Sequence, residues 1–107
     1  MSHIPHGLRY SVITRDKRRC VVPTLDPTAD ACQSSFGWPM EEYGRYKVEQ
    51  LQLDHVRDEP MMGRTAPSDE EHLVTVCPHH HLDGWATAHR PALREYLNRL
   101  YPSRRSA

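Results

Sequence analysis

The sequence predicts a small α+β domain, and three stretches lead to this fold class. Residues 47–56 alternate apolar and polar side chains, and residues 73–76 form a β-branched run, so both segments favour strands that pair as a hairpin. After Pro91, apolar side chains recur at helical spacing, at Leu93, Tyr96, Leu97, Leu100 and Tyr101. The domain therefore combines one hairpin with an amphipathic helix near its C-terminus.

Length and composition allow one small hydrophobic core. The chain has 107 residues, of which 37% are hydrophobic and nine are Pro, and such polar chains often need a metal ion or disulfides to fold. We expect a loose lead-in over residues 1–8, a single domain over 9–101 and a basic tail over 102–107. No apolar run indicates secretion or membrane insertion, so we expect a cytoplasmic protein.

Helix boundaries follow from local signals. A short helix is predicted from Leu8 to Arg19, with its apolar positions turned inward. The segment 68–71 fits a capping box that starts one helical turn. Pro78 suits the first position of a further helix, which Gly84 would end.

Charge is balanced overall but is unevenly distributed. Residues 9–19 and residues 90–105 each contain five basic side chains and one acidic one, whereas residues 20–89 contain four basic and twelve acidic ones. Basic flanks around an acidic centre suit a protein that holds phosphates at its edges and gathers cations in its middle, although solvated charge without a partner explains the pattern equally well. The candidate DNA contacts are Arg15, Lys17, Arg18, Arg19, Arg94 and Arg99.

Cysteine and histidine usage favours metal over disulfides. Three Cys is an odd number, and the chain also has eight His. Eight ligand-type side chains lie near predicted strand ends or turns, too many for one zinc and suitable for two sites: Cys20, Cys32, Asp54, His55, His72, Cys77, His80 and His81. We expect a reducing compartment for such thiols.

A structural zinc takes four nitrogen or sulfur ligands, and Cys20, Cys32, Cys77 and His80 supply them. Cys77 and His80 are three residues apart and can share an ion, whereas the ring of His81 lies about 100° further round the helix and addresses a different site.

Asp54 and His81 could hold a divalent cation with positions left for water and substrate. His55 follows Asp54 at the strand end and can accept a proton. A divalent cation and a neutral histidine are together the minimum requirement for phosphodiester hydrolysis. The alternative, at about even odds from spacing, is that Asp54 and His55 cap a strand and the clustered histidines serve one zinc.

These residues resemble a known family. Asp54-His55-Val56, the segment 71–76 and the segment 77–81 are similar to the signature of HNH endonucleases, and most similar to small free-standing HNH proteins of bacteriophages. The resemblance spans residues 12–101, and residues 53–81 are its specific part.

The resemblance implies a ββα-metal (His-Me) finger on a treble-clef-like zinc scaffold, with an additional C-terminal helix. It implies that His55 is the general base and that Asp54 and His81 bind a catalytic magnesium or manganese ion, with zinc or nickel as alternatives. DNA would be cut to 5′-phosphate and 3′-hydroxyl ends in the host cytoplasm, beside the phage terminase large subunit.

Two positions depart from the family pattern. His72 stands where the family has the Asn that braces the loop carrying the base, so His72 takes that catalytic position here. The usual Cys-x-x-Cys-His ending reads Cys-x-x-His-His, which makes His80 the fourth zinc ligand and leaves His79 as the alternative. A non-catalytic zinc module that binds DNA or a protein is the rival function.

Overall fold

The protein is organised around an antiparallel hairpin, in a computed structural model that describes residues 4–34, 38–42, 45–46, 48–56 and 69–102. The fold is α+β, as predicted. The helices are α1 His6–Arg15, α2 Val22–Leu25, α3 Pro78–Asp83, α4 Trp85–Ala88 and α5 Arg90–Leu100, and the strands are β1 Glu41–Glu42, β2 Arg45–Tyr46, β3 Gln52–His55 and β4 Leu73–Val76.

The central hairpin pairs β3 with β4, from Gln52 opposite Val76 to His55 opposite Leu73. Both predicted strands are confirmed, but β3 is shorter than residues 47–56 because residues 48–50 form a 3₁₀ turn. Every residue of β4 is buried, since α1 packs against this strand while α3 packs against β3. Strand β4 is therefore fully covered, whereas β3 is partly accessible along its length.

The segment before β4 is a 3₁₀ turn, Glu70–His72. Its cap is Asp69, whose carboxylate accepts a hydrogen bond from the Glu71 amide at 3.0 Å. The predicted cap, Ser68, lies outside the described residues. The helical turn itself was predicted at this place, and it sets the direction in which the chain enters β4.

Helix α1 begins at His6 and ends at Arg15, so it starts inside the predicted lead-in and stops before Arg19. It ends early because Lys17 and Arg18 are both left-handed, with φ of 63° and 59°. The Arg18 amide donates to the Ile13 carbonyl at 2.8 Å, a closing bond typical of helix C-termini. This turn leads the chain directly to Cys20.

The C-terminal half follows the predicted helices closely. Gly84 ends α3 with φ of 76°, in the left-handed conformation that glycine adopts without strain. Helix α4 was not predicted. Leu93 and Leu97 of α5 are buried in the core, but Leu100 is 43% exposed because it is the last helical residue.

A buried polar network joins α1, β4 and α5 at Asp16. Both Asp16 oxygens accept hydrogen bonds from the Arg15 guanidinium at 2.9 Å, and one of them also accepts from the Thr75 amide at 3.0 Å. The Tyr96 hydroxyl donates to the other. Arg15 in turn donates to the Leu73 carbonyl at 2.7 Å. The carboxylate is thus paired and hydrogen-bonded, which is the condition for burying a charge.

Candidate metal centres

Four side chains from three separate segments meet at one point: Cys20, Cys32, Cys77 and His80. Their ligand atoms all lie within 4.8 Å of one another. Cys20 follows the left-handed turn after α1, and Cys77 caps the start of α3, where its sulfur accepts a hydrogen bond from the His80 amide at 3.5 Å. The four residues predicted for a zinc site are therefore brought together.

The segment between Cys20 and Cys32 contains α2 and a turn that is held by hydrogen bonds to the Asp26 side chain. Thr28 donates to the Asp26 carboxylate through its amide at 3.1 Å and its hydroxyl at 2.6 Å. The Trp85 indole donates to the other Asp26 oxygen at 3.4 Å. These bonds fold the spacer back on itself, so that eleven intervening residues still return Cys32 to the cluster.

Distances within the cluster fit a tetrahedral zinc site. Nδ1 of His80 lies 3.2 Å from the sulfur of Cys77, 3.6 Å from that of Cys20 and 3.9 Å from that of Cys32. Zinc bonds of about 2.3 Å to sulfur and 2.0–2.1 Å to nitrogen at a tetrahedral angle separate the two ligand atoms by about 3.6 Å. These four residues can therefore hold a metal ion such as zinc.

The surroundings favour negative charge on the sulfur of Cys77 and disfavour it on the sulfur of Cys20. Hydrogen bonds from the Cys20 and Cys32 thiols, with further ones from the His80 and Gln33 amides, hold the pKa of Cys77 far below its usual range. Contacts with Cys32 and Cys77, and burial, raise the pKa of Cys20. One thiolate forms readily and the next are opposed by its charge, so a cation is needed for all three to ionise.

The ring of His80 is buried, and its two nitrogens lie in different surroundings. Nδ1 faces the three sulfurs, whereas Nε2 is buried with no hydrogen-bond partner among the described residues. Metal binding through Nδ1 puts the proton on Nε2. Neighbouring His79 points elsewhere, toward the Asp30 carboxylate at 3.3 Å, so the geometry favours His80 over His79 as the fourth ligand.

A second pair lies at the far end of β3, where Nδ1 of His81 contacts the Asp54 carboxylate. The side chain of Asp54 is 15% exposed and that of His81 is 41% exposed, so the pair opens to solvent. Burial raises the pKa of Asp54, and the nearby His81 and His55 partly offset that rise. A carboxylate and an imidazole at an open edge can bind a divalent cation while leaving positions for water.

Asp54 and His55 are adjacent on β3 and therefore point to opposite faces of the hairpin. His55 is nevertheless close enough for its charge to lower the pKa of Asp54. Both side chains are half-buried. His55 is thus next to Asp54 in the strand, with its side chain directed to the other face.

His72 lies in the interior, with 2% of its surface exposed. Its Nδ1 donates to the Asp69 carboxylate at 2.7 Å, and its backbone carbonyl accepts from the Val56 amide at 2.8 Å. The residue is built into the turn that precedes β4. This burial argues against direct contact with a substrate, whereas the predicted role of His72, which is to brace the loop carrying the base, needs no such contact and stays a prediction.

Two of the six predicted DNA contacts are corrected by burial. Arg94 is only 9% exposed and donates to main-chain carbonyls, and Arg15 is bonded to Asp16 and two carbonyls. Their guanidinium groups are engaged in hydrogen bonds within the protein, which argues against DNA contact for these two. Lys17, Arg18, Arg19 and Arg99 are exposed, and for these the prediction of DNA contact stands.

The sequence patterns did not predict the hydrogen-bonding roles of Asp16, Tyr96 and Asp69. An acidic residue inside a basic run was the available signal for Asp16, and the predicted stripe placed Tyr96 in the core without its hydroxyl partner. Burial raises the pKa of Tyr96 well above its usual range, and the Asp16 carboxylate adds to this rise.

Comparisons with protein-family models, with curated proteins and with solved structures gave no match to this chain. The HNH resemblance accordingly stays a prediction. None of the described helices has the length and apolarity needed to cross a membrane.

Proposed function

We propose that this protein is a metal-dependent endonuclease that hydrolyses DNA phosphodiester bonds. The ββα-metal finger on a treble-clef-like zinc scaffold is part of this proposal. The contact between Asp54 and His81 is the observation that carries it, because β3 and α3 bring together two ligand types that suit a hard cation. His55 directly follows Asp54 in the chain.

In this proposal, Asp54 and His81 hold the ion and His55 accepts the proton of the attacking water. A bound magnesium or manganese ion supplies charge stabilisation at the phosphate and at the leaving oxygen. The cluster of Cys20, Cys32, Cys77 and His80 fixes the start of α3, so His81 is set by the residue before it. Catalysis and folding thus depend on adjacent residues of one helix.

A basic surface beside α1 supports DNA as the substrate. A groove of about 460 Å³ there is lined by two basic side chains, Arg9 and Arg18, and by one acidic side chain, Glu49. The guanidinium of Arg9 also donates to the Leu51 carbonyl at 2.9 Å. Tyr10 borders the same groove and is 67% exposed. Guanidinium groups attract phosphates, and an exposed aromatic ring offers a stacking surface for a base. The thiolate cluster suits the reducing cytoplasm in which such a substrate lies.

A plasmid-nicking assay with magnesium or manganese tests the activity, and sealing of the nicks by a DNA ligase tests for 5′-phosphate and 3′-hydroxyl ends. His55→Ala should lower the cleavage rate about 10²–10⁴-fold, the usual contribution of a general base. His79→Ala is the matched control, because His79 points toward Asp30. Undiminished cleavage by His55→Ala would remove His55 from the mechanism.

The sequence resemblance further leads us to propose that the enzyme acts in phage genome packaging with the terminase large subunit. Co-purification of the two proteins tests this partnership, with His80→Ala, which lacks the fourth zinc ligand, as the zinc-deficient control. If the zinc-deficient variant retains the subunit as well as wild type does, the result would speak against a specific interface.

The second candidate is a non-catalytic zinc module that binds DNA or a protein. Burial of His72, at the position where the resemblance expects Asn, favours it. Its expected result is tight DNA binding without divalent-dependent cleavage, and one metal ion per chain by elemental analysis.

A further inference from the structure

The side chain of Arg94 on α5 bridges the residue that follows β3 and the turn that precedes β4. Its NH1 donates to the Val56 carbonyl at 3.1 Å, and its NH2 donates to the Glu71 carbonyl at 3.1 Å. Asn98, one turn further along the helix, accepts from the same NH2 at 3.4 Å. A buried guanidinium thus connects α5 with both segments that lead into and out of the hairpin connection.

The two residues whose carbonyls accept from Arg94 are each adjacent to a histidine that was predicted to take part in catalysis. Val56 follows His55, and Glu71 precedes His72. The Val56 amide also donates to the His72 carbonyl at 2.8 Å. Val56 is therefore held through both its amide and its carbonyl, one residue beyond the last strand pair, His55 with Leu73.

We call these two hydrogen bonds from Arg94 the Arg94 clamp. Its location, at the end of the hairpin where the two strands are connected, explains why it is useful. Residues 56–72 separate β3 from β4, and a hairpin with a long connection opens most easily at that end. The guanidinium donates two bonds in one rigid plane, which a lysine ammonium cannot reproduce. The turn before β4 is also held by the hydrogen bond between Nδ1 of His72 and Asp69. Arg94 adds a restraint on the same turn from α5.

We infer that Arg94 is a positioning residue for His55: it fixes the end of β3 and thereby the direction of the His55 ring. This inference rests on the proposed endonuclease function. A displacement of about 1 Å at a reacting group can lower a rate by about 10²-fold. The effect of losing Arg94 should therefore appear in kcat, whereas loss of a phosphate contact should appear in KM.

The experiment compares Arg94→Met and Arg94→Lys with wild type in steady-state plasmid nicking, alongside amide hydrogen exchange at Val56 measured by NMR. Arg94→Met should lower kcat about 10–10²-fold with KM changed less than about twofold, and should speed Val56 exchange at least about tenfold. Arg94→Lys keeps the charge but has a single donor nitrogen, so its kcat and its Val56 exchange rate should lie between those of wild type and Arg94→Met. Arg90→Met, one turn earlier on α5, removes the same charge and should leave kcat and Val56 exchange as in wild type.

A kcat for Arg94→Met within about twofold of wild type, or an unchanged Val56 exchange rate, would overturn the inference. Zinc content checks the fold of each variant, and if Arg94→Met does not fold, the same two criteria apply to Arg94→Lys. Wild-type protein that does not cut DNA would overturn the proposed function and the positioning role together. Val56 exchange would still decide whether the clamp exists, so the two failures are distinguishable.

Discussion

His80 and His81 are adjacent on α3, yet their rings serve different clusters. Nδ1 of His80 lies 3.2 Å from the sulfur of Cys77, whereas Nδ1 of His81 contacts the Asp54 carboxylate. The helix turns by about 100° per residue, so neighbours on it face different sides. One short helix thereby links a candidate folding site to a candidate reaction site.

Removal of His80 should release the structural metal. His80→Ala leaves three sulfur ligands around a closed site, so we expect zinc content well below one per chain and a large drop in Tm, because metal binding in such sites supplies about 10–16 kcal/mol. Elemental analysis and thermal unfolding measure both. The matched variant His79→Ala should keep one zinc per chain. Full zinc content in His80→Ala would instead indicate His79 or water as the fourth ligand.

Changes at Asp54 and His81 should separate the two sites. Asp54→Asn and His81→Ala should keep the zinc content and Tm near wild type, because neither residue lies in the sulfur cluster. Manganese binding and plasmid nicking should both fall, the latter about 10²-fold or more. Isothermal titration with manganese measures the affinity directly. Unchanged manganese affinity in both variants would contradict a cation site here.

The buried carboxylate of Asp16 should contribute strongly to stability. Asp16→Ala leaves the Arg15 guanidinium in the interior without its partner, and we expect a loss of about 3–5 kcal/mol in the free energy of unfolding. Urea unfolding measures it. Asp83→Ala, at an exposed position, should change the stability by less than about 0.5 kcal/mol. Equal effects of the two changes would show that the network around Asp16 is unimportant.

Tyr96 should make the protein sensitive to alkaline pH. Its folded pKa is raised above the ordinary value of 10.0, first by burial, so the folded state holds the phenol proton more tightly than the unfolded state. The stabilisation is complete below about pH 10 and declines above it by at most about 1.4 kcal/mol per pH unit. Tyr96→Phe should lack this decline. Parallel stability curves for wild type and Tyr96→Phe between pH 8 and 11, from urea unfolding, would contradict the prediction.

Arg18 should show opposite effects on stability and on DNA binding. Its φ of 59° is unfavourable for any residue with a Cβ, so Arg18→Gly should raise the free energy of unfolding by about 1 kcal/mol. The same change should weaken DNA binding and reduce the slope of log affinity against log salt by about 1. Arg18→Lys keeps the charge and should keep the slope. An unchanged slope in Arg18→Gly would place Arg18 away from the DNA.

Local sequence signals determined several features of the protein. Gly84 ends α3 because glycine alone adopts positive φ without strain, and the spacing of Cys77 and His80 suffices to place both in one metal cluster. The alternation before His55 also gives the correct strand, although its first half forms a 3₁₀ turn. These signals act over a few residues, where backbone geometry dominates.

Only the tertiary structure decided which arginines are buried hydrogen-bond donors and how Cys32, distant in sequence from Cys77, reaches the metal cluster. Arg15 and Arg94 have the same chemistry as exposed Arg18, and only the helices and strands packed around them make them internal donors. Cys32 is returned to the cluster by a segment in which Asp26 makes hydrogen bonds within its turn and with Trp85. Charge and residue type are properties of the sequence, but burial and hydrogen-bond partners arise only when segments far apart in the chain come into contact.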